Sequence, residues 1–241
     1  MKIRRLNETD AARNALGDWD HTVLRLDNIL KGRPPYSLEP ARKCLPDILN
    51  ISYPTLPNPK PTSWRVVRSQ IWKHCKRGKN RQKEFQANLE VADALRRFQI
   101  ENDVQVIDRP MSALKIGSQW VKYWHDFVFV IEGRVIIPFF DLRISQNLQR
   151  DTGIKVAWSL QHEHIRLRDL DLREANLCVL QIPRGDDGTR HVVLHESGGE
   201  ELYSWEFLDA KLAETLEAWR FVVSGMPPQE KPSAAGQGFL L

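Results

Sequence analysis

The sequence predicts an α/β protein, a central mixed β-sheet flanked by helices, and three stretches carry that prediction. From Lys83 to Glu101 the apolar residues Phe85, Leu89, Ala92, Leu95 and Phe98 recur at helical spacing and line one side of a long α-helix. From Val104 to Leu142 the pattern changes to short apolar runs broken by turn residues, the signature of strands. From Trp205 to Val223 helical spacing returns, with Leu208, Leu212, Leu216, Trp219 and Val223 on one face and Gly225-Met226-Pro227-Pro228 as the stop. Helices on both sides of a run of strands require a layered sheet to cover their apolar faces.

In chain order, residues 8–31 read as one or two short helices, with Leu24, Leu26, Ile29 and Leu30 as the apolar stripe and Gly32 as the end. Between Arg33 and Pro61 the prolines at 34, 35, 40, 46, 54, 57, 59 and 61 fix φ repeatedly and remove amide donors. This excludes a long helix or a central strand and predicts a wrapping arm or linker. After the 83–101 helix, strands are expected at 104–107, 113–123, 126–131 and 134–142. Glu132-Gly133 joins the last two as a hairpin. Pro138 cannot donate to a ladder, so that arm is expected at an edge or with a bulge. Residues 145–150 read as a polar turn or helix, 154–164 as a helix, and 175–182 and 191–196 as strands around the Arg184-Gly185-Asp186-Asp187-Gly188 turn. The tail from 227, rich in Pro, Gly, Ser and Ala, is expected to be disordered. The resulting division is an N-terminal helical and Pro-rich extension (1–62), an α/β domain (63–226) and a tail (227–241).

The chain's 241 residues are enough for one sizeable core. Three cysteines (Cys44, Cys75, Cys178) without paired spacing argue against a disulfide scaffold or a cysteine-based zinc ribbon, and point to a reducing, cytoplasmic setting. No apolar run approaches the length of a membrane span, and the polar start at residues 1–14 is not a secretory leader.

Charge is distributed unevenly. Residues 1–100 hold 20 Lys/Arg against 10 Asp/Glu, whereas residues 101–241 hold 15 against 21. Within the basic part, Trp64 to Lys83 carries Arg65, Arg68, Lys73, Lys76, Arg77, Lys79, Arg81 and Lys83, together with His74, and no acid. Cations gathered so densely repel one another, and a polyanion that sheds its condensed counterions relieves the repulsion. DNA or RNA phosphate is therefore the expected partner of this segment. Trp64 and Trp72 would stack on bases or anchor the segment in the core.

The hairpin also offers a chemical constellation. Asp126 opens one arm and Asp141-Leu142-Arg143 closes the other, so an antiparallel pairing brings the outer ends of the arms together and two carboxylates converge. Such a pair suits Mg²⁺, a hard cation that takes oxygen ligands and can activate water. In HDFVFVIEGRVIIPFFDLR the chain resembles the PD-(D/E)XK nuclease-like superfamily, over about residues 83–182. The resemblance implies a restriction-endonuclease-like core and Mg²⁺-dependent phosphodiester hydrolysis. Asp126 and Asp141 would be the metal ligands, and Glu84 or Glu90 a further acid. His125 stands where the family often has proline. Arg143 takes the place of the family's lysine, where it would neutralise the scissile phosphate without accepting a proton. The alternative is a nuclease-like fold without activity, a non-catalytic subunit of a larger protein or nucleoprotein assembly. In that reading the N-terminal extension and the C-terminal helix dock protein partners. Two lesser readings are a zinc site built from His162 and His164 with His191 or His195, and an aromatic wall of Trp120, Tyr123 and Trp124 beside Lys122.

Overall fold

Short polar side chains start the first helices of the computed structural model, which describes residues 6–32, 37–51, 60–116, 119–122, 125–143 and 147–225. The carboxamide oxygen of Asn7 accepts the N–H of Asp10 at 2.8 Å and opens α1 (Glu8–Asn14). Asp18 accepts the N–H of His21 at 2.8 Å and opens α2 (Trp19–Lys31). Over residues 37–51, the stretch read as a wrapping arm holds two short helices, α3 (Glu39–Lys43) and α4 (Leu45–Ile48). Pro40 and Pro46 sit in their first turns, where a missing N–H costs nothing. Their Ala41, Leu45 and Ile48 are buried in the core, so this part of the arm is built into the domain. Next come α5 (Trp64–His74) and α6 (Arg81–Glu101).

A five-stranded mixed sheet has the order β1 (Gln105–Asp108), β4 (Phe127–Ile131), β5 (Arg134–Asp141), β6 (Asn176–Gln181), β7 (Val193–Glu196), and only the β5–β6 pair is parallel. Residues 113–123, expected as one strand, instead form a separate two-stranded hairpin, β2 (Ala113–Ile116) with β3 (Gln119–Lys122). Gly117 and Ser118, which fall between the two strands in sequence, are residue types that favour turns.

Glu132 and Gly133, at φ of 51° and 76°, make the β4–β5 turn. Pro138 is in a central strand, which excludes the edge placement, one of the two alternatives expected for it. It is tolerated because the β4–β5 ladder stops at Phe129↔Ile136, so the β4 side of β5 asks for no donor at 138, while β6 continues alongside with Cys178 opposite.

Alternation along the strands builds the core on both faces of the sheet. Val128, Ile137, Phe139, Leu177 and Val179 pack against α1, α2, α7 (Lys155–Gln161) and α8 (Trp205–Ser224). Phe127, Phe129, Ile131, Ile136, Phe140, Cys178 and Leu180 pack against α3, α4, α5 and α6. The molecule is thus three layers, helices over sheet over helices. The stretch read as a helix over 154–164 is α7, extended at each end by a π turn (Arg150–Ile154 and His162–Arg166). Its buried Gln161 donates to the carbonyls of Ile137 at 2.6 Å and Cys178 at 3.1 Å, which fixes α7 across the β5–β6 seam. Ser204 caps α8, and Gly225 ends it at a left-handed φ of 67°. The tail from 227 to 241 and the side chains of Trp120, Tyr123 and Trp124 lie outside the described residues. No helix among the described residues is long and apolar enough to cross a membrane.

Candidate functional site

Two regions carry the residues singled out in the sequence, and they differ in character. The first is the cationic segment. Val67 and Ile71 bury the inner face of α5. The 3.6-residue period then turns Arg65, Arg68, Ser69, Trp72 and Lys73 outward, and all five are exposed. Lys76, Arg77 and Lys79 follow on the connection to α6, and Lys83 on its first turn, likewise exposed. None of these seven Arg and Lys side chains meets a carboxylate among the described residues.

Arg81 differs from the other seven. Its guanidinium lies 4.0 Å from the centroid of the Trp72 ring and donates to the Trp72 carbonyl at 3.0 Å. Phe85 meets the same indole edge-on, at 5.0 Å between centroids. Arg81 therefore holds Trp72 in place.

Glu84 is the acid next in sequence to this segment, and it is turned away from the surface. It is 3% exposed, and its two oxygens accept the backbone N–H groups of Ser37 at 3.1 Å and Lys76 at 2.7 Å. The resemblance offered Glu84 or Glu90 as a further acid of the site. The structure makes Glu84 the clamp that ties the start of α6 to two earlier segments, the one before α3 and the one after α5. Glu90, the other candidate acid, pairs with Arg184.

The second region is the pair of hairpin acids. The register of β4 on β5, continued outward, sets Asp126 against Phe139, two residues short of Asp141. Beyond the last pair the strands follow different neighbours, β4 with β1 (Asp108↔Phe127) and β5 with β6 (Asp141↔Gln181). Asp126 accepts the N–H of Met111 at 3.0 Å and so closes the loop after β1. Asp141 is fully buried and accepts from the Leu148 N–H at 2.7 Å and the Gln181 amide at 3.3 Å. Its other oxygen lies 3.7 Å from Arg143 Nε. Arg143 reaches on to Asp10 of α1 at 2.5 Å. Gln181 also donates to the Leu148 carbonyl at 2.9 Å and meets His195 Nε2 at 3.0 Å.

These contacts form a buried polar network that joins α1, the ends of β5 and β6, and β7. The residues do not fit a bound divalent ion. Each acid is committed to a different loop, and no three His, Cys, Asp or Glu side chains converge among the described residues. Sequence reasoning missed Asp10, Leu148, Gln181 and His195 as partners because they are up to about 185 positions apart in the chain and follow no motif.

The remaining reactive side chains are subdued. Burial pushes the thiols of Cys44 and Cys75 up to about 11 and that of Cys178 to about 12, so none is a thiolate near neutrality. His164 is buried with its ring 4.3 Å from that of Trp205, His162 accepts from Arg166 at 3.0 Å, and His195 is taken by Gln181. Of the histidines read as a zinc group, His162, His164 and His195 thus serve separate contacts.

Comparison with known proteins decides the family. The model of the sliding clamp-binding bacterial toxin SocB matches residues 9–225, nearly the whole of the three-layer fold. The chain belongs to the SocB family. It is 31% identical over 237 residues to the DNA replication inhibitor toxin SocB of Caulobacter vibrioides (strain NA1000 / CB15N), which covers 98% of this chain and 97% of that protein. No solved structure matches.

Membership of the SocB family overturns the PD-(D/E)XK assignment, and the phosphodiester hydrolysis it implied falls with it. The physical reason is visible in the hairpin. An acid at a strand end and an acid-x-cation triplet also arise where one Asp closes a loop and another is buried beside an arginine. Two such positions therefore carry little information without a shared pocket.

Proposed function

We propose that this chain is a protein-binding inhibitor of replication that acts by docking on a bacterial sliding clamp. The observation that carries this reading is the extent of the family match. The SocB relationship spans 9–225 and its named Caulobacter relative aligns almost end to end, so the whole scaffold that presents a partner surface is shared. The chemistry of the described residues supports a binding protein. The acids in the nuclease-like position hold loops together, and burial raises the thiols. A role in protein association also agrees with the non-catalytic alternative read from the sequence.

The test is to titrate the purified chain against an immobilised bacterial sliding clamp and to follow primer extension with and without the clamp. Saturable binding together with loss of clamp-dependent synthesis alone is expected. Inhibition that persists without the clamp, or no binding at tens of micromolar clamp, a range weaker than about −6 kcal/mol of association, would overturn the reading.

A further inference from the structure

The family match assigns no role to the outer face of α5 and the connection to α6. We infer that this face is a second, sequence-independent binding surface for a nucleic-acid backbone. Four features carry the inference. Arg65, Arg68, Lys73, Lys76, Arg77, Lys79 and Lys83 are all exposed and none meets a carboxylate among the described residues. Glu84, the acid that sequence places nearest, is drawn inward onto two backbone N–H groups and forms no ion pair with these cations. Trp72 is 37% exposed within the cations and is held by Arg81 and Phe85, a fixed aromatic edge beside a charged track. Finally, α5 is 11 residues long, hence about 16 Å, a length over which each strand of a duplex carries about five phosphate charges.

The composition of the face favours a phosphate backbone over an acidic protein. Protein interfaces deplete lysine and concentrate apolar and aromatic residues at their centre. Here four of the seven free cations are lysines, and the exposed apolar residues of α5 are Val66 and Trp72 alone. Interfaces with nucleic acid are more cationic and tolerate that density, because each neutralised phosphate releases a counterion.

The experiment measures fluorescence anisotropy of labelled duplex and single-stranded DNA of mixed sequence, each about 20 nucleotides long, with the full chain from about 50 to 200 mM NaCl. If about five phosphates are engaged, log affinity for the duplex falls with log salt at a slope near −4.5, roughly a 500-fold loss across that range. Arg65→Ala/Arg68→Ala should flatten the slope by about 2, and Lys73→Ala/Lys76→Ala/Lys79→Ala by about 3. The exposed control Arg173→Ala/Arg220→Ala should leave it unchanged. All these side chains are exposed, so circular dichroism and thermal midpoints should match the parent. The same variants are assayed on the sliding clamp, which separates the two proposals. Retained clamp binding with lost DNA binding supports the inference whatever surface docks the clamp. DNA binding that is absent at 50 mM NaCl, insensitive to salt, or equally reduced by the control would overturn it. Variants that lose clamp binding while the parent shows no DNA binding would make this face a protein-docking surface and would overturn it too.

Discussion

Substituting Asp141 tests whether the acid in the nuclease-like position is structural. The carboxylate is fully buried, receives the Leu148 N–H at 2.7 Å and the Gln181 amide at 3.3 Å, and faces Arg143 Nε at 3.7 Å. Asp141→Ala removes the acceptor from a buried backbone N–H and leaves Arg143 with Asp10 as its remaining carboxylate. Breaking a buried ion pair from one side costs about 3–5 kcal/mol, and orphaning a buried donor about 1–3 kcal/mol. The two terms overlap, so about 4 kcal/mol is expected in total, or about 8–16 °C in Tm for a chain of this size. Asp141→Asn keeps an oxygen for Leu148 and loses only the charge, and should cost about half as much. Urea unfolding followed by circular dichroism reads the change as a lower midpoint at unchanged m. A loss below about 1 kcal/mol for Asp141→Ala would refute the claim that this network holds the ends of β5 and β6 to α1.

Three further outcomes follow from the same geometry. Glu84→Ala frees two partly buried backbone donors, at Ser37 and Lys76, and should cost about 2 kcal/mol, with faster amide exchange at Lys76; Glu84→Gln, which keeps one acceptor, should recover part of the loss. His125 is buried among Phe127 and Phe140, and burial and then Arg42 lower its pKa to about 3. The unfolded chain therefore binds the extra proton below about 6.5. Stability is full above that pH and falls as pH drops toward the folded value, by up to about 1.4 kcal/mol per unit. Denaturant midpoints between about pH 7 and 5 should flatten in His125→Phe, and an unchanged slope would exclude this source. Glu132 adopts φ of 51° in a two-residue hairpin turn where asparagine is favoured, so Glu132→Asn should raise stability by about 0.5–1 kcal/mol, read as a higher thermal midpoint.

Local spacing and local turn chemistry by themselves determined most of the elements of this protein. The apolar period of 83–101 becomes α6, that of 205–223 becomes α8, and Glu132-Gly133 joins β4 to β5, because each depends on neighbours only a few residues away. The uninterrupted sign of charge from Arg65 to Lys83 was likewise readable, since exposed cations on α5 need no distant partner to be exposed. Tertiary structure decided what the acids do. Whether Asp126 and Asp141 share a pocket depends on which strand each follows after the β4–β5 ladder ends. Asp126 goes to the loop after β1, and Asp141 to Leu148, Gln181 and, through Arg143, Asp10. It also decided that Pro138 could lie in a central strand and that Glu84 would face inward. A buried carboxylate must find donors wherever the fold supplies them, and those donors come from segments far away in the chain whose approach no local pattern encodes.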